Sequence, residues 1–216
     1  MRIVVLGAGG AIARRIVREA LNRGHPVTGV VRDPSGFQNY DDRLTVVKGD
    51  ATDAASIAGV SAGANAIVNA ISPRTAQDSG PPSSLTGAAR ALIAGARQAK
   101  VPRIVIVGGA GSLEVLPGQQ LVDSPDFPVG YKPEALAQRD ALEIYRRDGG
   151  DLEWTYISPA QDIAAGIRTG TYRTSGNRLL VDDKGHSRIS YEDYAVAVID
   201  ELERPEHVRR RMSVAY

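Results

Sequence analysis

Cysteine is absent from all 216 residues, which excludes disulfide frameworks, thiolate nucleophiles and Cys-based metal or iron–sulfur sites. That composition suits a reducing compartment, and the cytoplasm is the expected location. An excess of one charge is missing too. Lys plus Arg number 26 against 25 Asp plus Glu, a net charge of +1, so electrostatics give no reason to expect nucleic acid or an anionic membrane as a partner. A partner must be argued from a site, and a small molecule is expected, bound by a monomer or homodimer. Lysine is scarce, at 4 residues against 22 arginines; the skew reads first as codon usage and only weakly as anion binding. Long hydrophobic runs are also lacking. The uncharged stretch from Ala54 to Ser72 has the length to span a bilayer but is built largely from Ala, Gly, Ser and Asn, too polar for a membrane helix. It reads as a short helix, a stop at Gly63 and a buried strand. The N-terminus, with Arg2, the run Ile3–Leu6 and Ala11-Ile12-Ala13, superficially resembles a secretory signal. Glycines interrupt the run, however, and Arg14, Arg15 and Arg18 follow where a cleaved peptide would end, so no signal is expected.

Short β-branched runs alternate with helical patterns. Ile3–Leu6, Val27–Val31, Leu44–Val47, Ala66–Ile71, Ile104–Val107 and Trp154–Ile157 read as strands, and their lack of polar alternation predicts a parallel sheet covered on both faces. Ile12, Ile16 and Ala20 with Ala13, Val17 and Leu21 trace a helix ended by Gly24 and Pro26; Leu85 to Ala99 and Pro133 to Arg147 trace two more. This predicts an α/β doubly wound parallel sheet of Rossmann type with right-handed crossovers. Residues 1–160 form the dinucleotide-binding core and 161–216 a small C-terminal α+β substrate-side region of the same domain. In that region Ser175-Gly176-Asn177 and Lys184-Gly185 read as hairpin turns, Ser190 with Asp193 as a capping pair ahead of a helix over Tyr194–Leu202, and Met212–Ala215 as a final strand. Two long loops, residues 72–83 and 108–131, follow strands at the carboxyl edge where such sheets bind ligands.

Gly7-Ala8-Gly9-Gly10-Ala11-Ile12-Ala13 follows the first strand and opens the first helix. Glycines there permit a tight turn and close approach to a pyrophosphate, whose charge the free amides and helix dipole attract; the alternative is a ligand-free strand–helix turn. The second strand ends in Arg32-Asp33. A basic residue there suits the 2′-phosphate of NADP and an acidic one the 2′-hydroxyl of NAD. The nearer side chain is cationic, so NADP is the expected cofactor with NAD still open, unless Arg32 is only a surface charge paired with Asp33. Asp50, after Gly49, either accepts from an adenine amine or caps the next helix.

With the glycine loop, Val31-Arg32-Asp33, Gly49-Asp50 and Ile157-Ser158-Pro159-Ala160, the chain resembles the atypical short-chain dehydrogenases/reductases, and within them the NAD(P)H-binding and NADH-flavin reductase group, over essentially its whole length. The more distinctive pieces are Val107 to Leu113, Tyr131-Lys132-Pro133-Glu134-Ala135 and Arg188 to Ala195. The resemblance implies an NAD(P)H-dependent oxidoreductase, with Gly7, Gly9, Gly10, Ala11, Ile12, Arg32, Asp50, Ala51, Ala70, Ile71 and Ser72 lining the cofactor and Pro159 and Ala160 beside the nicotinamide. One departure stands out: no Tyr is followed by a Lys four residues later. Tyr131 has Ala135 at that offset, so the superfamily's Tyr–Lys acid/base dyad is missing. That puts alcohol–carbonyl chemistry by such a dyad in doubt and suits a flavin, which needs less help; the expected acceptor is a flavin or a small quinone-, enone- or carbonyl-like molecule. A non-catalytic NADP(H)-binding regulator and a nucleotide-sugar epimerase or dehydratase remain as alternatives.

Three further residues are catalytic candidates. Tyr131 could donate a proton and Lys132 hold the ribose hydroxyls, or the pair could be a packed Tyr beside a solvated Lys. Ser112 lies near the superfamily's catalytic Ser, or serves its glycine-rich turn. His25, His186 and His207 show no metal-ligand spacing, and no metal is expected; these histidines and the Arg209-Arg210-Arg211 triplet read as solvated surface.

Overall fold

The computed structural model describes residues 1–37, 41–72 and 83–216; most of the long loop expected at residues 72–83 lies outside them. The chain runs β1 (Ile3–Leu6), α1 (Ala11–Asn22), β2 (Val27–Val31), β3 (Leu44–Lys48), α2 (Ala54–Val60), β4 (Ala66–Asn69), α3 (Ser83–Ala99) and β5 (Arg103–Val107). It continues through β6 (Glu114–Leu116), β7 (Gln119–Gln120), α4 (Lys132–Asp148), β8 (Glu153–Ser158), β9 (Asp162–Ala164), β10 (Arg173–Ser175), β11 (Arg188–Ser190), α5 (Tyr191–Glu203) and β12 (Arg210–Ala215).

Eight strands form one sheet in the order β10-β12-β8-β5-β4-β1-β2-β3, parallel except for the β10–β12 pair. Alternation along β1 shows why both faces must be covered. Ile3 and Val5 join a core with Ile16 and Val17 of α1 and Val198 and Ile199 of α5. Val4 and Leu6 join a second core with Ile57 of α2, Leu92 of α3 and Leu142 of α4. Strands apolar on both sides are stable only between two helical layers. From β1 the chain steps outward through β2 to β3, then returns to β4 on the other side of β1. That reversal opens a crevice at the carboxyl ends of β1 and β4, the position where doubly wound sheets bind ligands. No helix among the described residues is long and apolar enough to cross a membrane.

The C-terminal stretch differs from its expected form. The expected final strand forms within β12, which inserts between β8 and β10 and buries Met212 and Val214, so this part of the chain extends the main sheet. The two expected hairpins are replaced by longer-range pairings, β10 antiparallel to β12 and β9 parallel to β11. The Lys184-Gly185 signal does make a tight turn, closed by Lys184 and His186 N–H groups donating to Asp182 Oδ1, but no ladder flanks it. Helix α5 starts at Tyr191 with Ser190 as its N-cap, Oγ accepting from Asp193 N at 2.9 Å. The triplet Arg209-Arg210-Arg211 is not wholly a solvated run, because Arg211 is buried within β12. His25 and His207 are half-buried and pair with Glu203 and Glu201.

Asp193 completes only half of a capping box. Its buried carboxylate accepts from Thr169 N and Oγ1, Gly170 N and Tyr216 OH, pinning Thr169, Gly170 and the C-terminal Tyr216 to α5. Burial drives its pKa up, but these hydrogen bonds outweigh burial and hold the carboxyl below its ordinary value. A carboxyl lowered in the folded state contributes stability above the unfolded pKa, about 3.9, and loses it as pH falls through the folded value. Asp193→Asn is therefore expected to lower the melting temperature at pH 7 and to weaken the acid sensitivity of unfolding below about pH 4. Parallel melting-temperature profiles for native and variant proteins across pH 2.5–7 would overturn this.

Candidate functional site

The glycine loop occupies the β1–β4 crevice. Gly7 has φ +76°, and a Cβ there would lie 3.0 Å from Ala70 O, so both conformation and space demand glycine. Gly7 and Ala8 N–H donate to Val30 O at 3.0 and 3.1 Å, and Gly10 N–H donates to Gly7 O at 3.0 Å, closing the turn against β2. Helix α1 begins at once. Its N-cap is Gly10, with no side-chain capping bond and no acid in the first turn, while Gly9, Gly10 and Ala11 are exposed and Ile12 is half-buried. The outward amides of this first turn and the helix dipole therefore favour an anion. Ala13, buried at 1% exposure, meets the need for a small residue where helix and strand pack. These features fit the pyrophosphate of a dinucleotide.

At the β2 end the two adjacent charges differ. Asp33 Oδ1 accepts from Ser35 N at 3.0 Å, a bond that chiefly holds its carboxyl below the ordinary value; this carboxylate organises its own turn. Arg32 is exposed, and its charge helps lower the nearby Asp50. Asp50 does not cap α2: that role belongs to Asp53, which accepts from Ala55 and Ser56 N–H. Asp50 Oδ1 accepts instead from Thr52 Oγ1 and N, at 2.7 and 2.8 Å, the principal cause of its depressed pKa. Gly49 precedes it because a Cβ would lie 2.6 Å from Val30 Cγ1, and Ala51 is half-buried against the α2–α3–α4 core.

Strand β4 ends at Asn69, two residues earlier than expected, so Ala70 and Ile71 belong to the loop against Gly7. Ser72 Oγ donates to Glu134 Oε1 at 3.3 Å, which brings the start of α4 to the carboxyl end of β4. Tyr131 and Lys132, at that start, are both exposed, Tyr131 at 57%. Position 135 faces inward: a Cβ on Gly111 would lie 2.7 Å from Ala135 Cβ. The place of the missing Lys is thus filled by close helix–loop packing. Pro159 and Ala160 are buried where β8 leaves the sheet.

Ser112, unlike the exposed Tyr131 and Lys132, is engaged in the interior. It is buried at 3% exposure, and its Oγ and carbonyl accept from Arg211 Nη1 at 2.8 and 2.9 Å. Arg211 also donates through Nε to Asn177 Oδ1 at 3.0 Å. Burial draws its pKa down to about 10. Ser112 thereby anchors the loop after β5 to β12. One residue not singled out in the sequence is Arg14. Its Nε donates to Gly9 O at 3.0 Å and its guanidinium lies 5.7 Å from the Phe37 ring centre.

An NAD(P)H-binding family model matches residues 7–205. Among solved structures, the chain is similar to a protein of Burkholderia pseudomallei named as a candidate exported protein, with 44% identity, TM-score 0.90 and complete coverage of both chains. It is also similar to a candidate epimerase of Bacteroides thetaiotaomicron, with 36% identity, TM-score 0.91 and coverage of 100% of this chain and 96% of the other. A candidate NADH-flavin reductase of Streptococcus pneumoniae is similar at 34% identity, TM-score 0.82 and coverage of 100% and 99%.

Proposed function

Because the chain belongs to the NAD(P)H-binding family, we propose that it is an NADPH-preferring oxidoreductase acting on a flavin or a small quinone-, enone- or carbonyl-like acceptor. The observation that carries this reading is the glycine turn in the β1–β4 crevice, with left-handed Gly7 against Ala70 O and an α1 N-terminus that lacks any capping side chain. Gly7, Gly9, Gly10, Ala11 and Ile12 would hold the pyrophosphate, and Arg32 the 2′-phosphate. Asp50 and Ala51 would border the adenine, Ala70, Ile71, Ser72 and Lys132 the nicotinamide ribose, and Pro159 and Ala160 the nicotinamide. A reduced nicotinamide bound there supplies a hydride.

The acceptor class follows from what the chain offers for proton transfer. Ala135 packs against Gly111 where a Lys would otherwise assist Tyr131, so a developing alkoxide receives less help than the superfamily's dyad provides. A reduced flavin takes its proton from solvent and makes no such demand. The likeness to the streptococcal candidate flavin reductase supports the same choice.

The test is steady-state NADPH oxidation with FMN, FAD and a quinone panel, paired with fluorescence titration of NADPH against NADH. Turnover well above background with at least one acceptor and tighter NADPH binding are expected. Background rates throughout, with equal affinity for oxidised and reduced cofactor and a co-purifying protein, would favour a non-catalytic regulator. The likeness to the candidate epimerase supports a second reading, and release of a keto-sugar from a nucleotide-sugar would replace the reductase assignment with it.

A further inference from the structure

We propose that Arg14 is a specificity residue for NADPH, binding the 2′-phosphate of the adenosine ribose together with Arg32; this rests on the reading of the glycine loop as a dinucleotide site. Arg14 lies in the first turns of α1, where a cation has the wrong sign for the helix dipole. Its neighbour Arg15 shares that position but is neutralised by Glu192 at 3.0 Å. Arg14 pairs with no carboxylate among the described residues. Its exposed side chain is nevertheless held in place, through Nε on Gly9 O and by the Phe37 ring, and its remaining guanidinium donors meet no protein acceptor among the described residues. A cation fixed at a helix start without a counter-ion is suited to a bound anion.

The location selects which anion. Gly9 is the loop glycine on the β2 side, a Cβ there lying 3.9 Å from Val31 Cγ1. Phe37 belongs to the turn after β2, its N–H donating to Pro34 O. The guanidinium therefore sits between the glycine loop and the β2 end, where the adenosine ribose is read, and away from the Gly7–Ala70 contact against β4. In the same turn Asp33 is engaged by Ser35 N–H, so the carboxylate that would favour the 2′-hydroxyl of NAD is drawn into the turn. Arg32 stands beside it, and two guanidiniums on one ribose suit a dianionic phosphate.

Calorimetry on the intact protein with NADPH, NADH, 2′,5′-ADP and 5′-AMP tests this without reference to turnover. Arg14→Ala is expected to weaken NADPH and 2′,5′-ADP by about tenfold or more, the scale of a lost charge-assisted contact, and to leave NADH and 5′-AMP unchanged; Arg14→Lys should recover part of the loss. Equal weakening of NADPH and NADH would mean that Arg14 serves the shared pyrophosphate and would overturn the inference alone, as would no change in any ligand. If the native protein binds neither dinucleotide, the functional reading falls and this inference with it.

Discussion

Glu201→Ala is expected to lower folding stability by about 3–5 kcal/mol, the cost of leaving a buried charge without its partner. Arg103 opens β5 and is 7% exposed, while Glu201, on α5, is 4% exposed. Arg103 Nη2 donates to Glu201 Oε1 at 3.0 Å and to Glu201 O at 2.9 Å, and Nη1 donates to Thr155 Oγ1 and Glu153 O, each at 2.8 Å. Glu201 also accepts from Thr155 Oγ1 and His207 N, each at 3.0 Å. Burial lowers the Arg103 pKa against the opposing pull of Glu201, so the pair persists because each charge compensates the other's lost hydration. For a chain of this size the loss corresponds to a fall in melting temperature of roughly 10 °C. The pair lies at the amino ends of the strands, opposite the glycine loop, so dinucleotide affinity of the folded variant should be unchanged. Arg103→Met with Glu201→Leu should recover much of the loss, since removing both charges leaves neither stranded. A urea-unfolding difference below about 1 kcal/mol for Glu201→Ala would show that the pair contributes no more than an exposed one.

How far the sequence reveals this molecule depends on whether the relevant signal is local. Gly7, Gly10 and Ala13 are legible because a tight turn and a close helix–strand approach impose their demands within a few residues. The Ser190 cap is legible for the same reason. Asp193 is not, because its hydrogen-bond partners at Thr169 and Gly170 lie more than twenty residues upstream. Arg211 reads as part of a charged surface triplet until β12 is known to lie between β8 and β10, where Ser112 and Asn177 accept its hydrogen bonds. The paired turns after Pro159 suggest hairpins, but Met212 and Val214 bury more apolar surface by carrying β12 into the main sheet, and β10 follows by pairing with it. Arg14 goes unnoticed because one arginine among 22 acquires meaning only through Gly9 O and Phe37.

Tyr131→Phe and Lys132→Ala separate catalysis from cofactor holding, and under the proposed function they should act on different quantities. Both residues are exposed where the loop after β5 meets α4, whose first turn is tied to the end of β4 by the Ser72–Glu134 hydrogen bond. If Lys132 holds the nicotinamide ribose, its removal weakens NADPH binding by about 1–3 kcal/mol, the loss for a hydrogen bond to a charged group. If Tyr131 donates a proton, Tyr131→Phe leaves NADPH affinity unchanged but lowers turnover of a carbonyl acceptor by roughly 100- to 10,000-fold. Flavin reduction should be nearly insensitive to Tyr131→Phe, because solvent completes the protonation of a reduced flavin after the hydride arrives, whereas a developing alkoxide needs a positioned acid in the transition state. The informative measurement is the ratio of kcat/KM for the two acceptor classes in each variant, alongside NADPH titration. Unchanged ratios and unchanged affinity in both variants would make the pair structural and withdraw both roles, while the glycine-loop assignment, which rests on Gly7, Gly10 and Ala70, would stand.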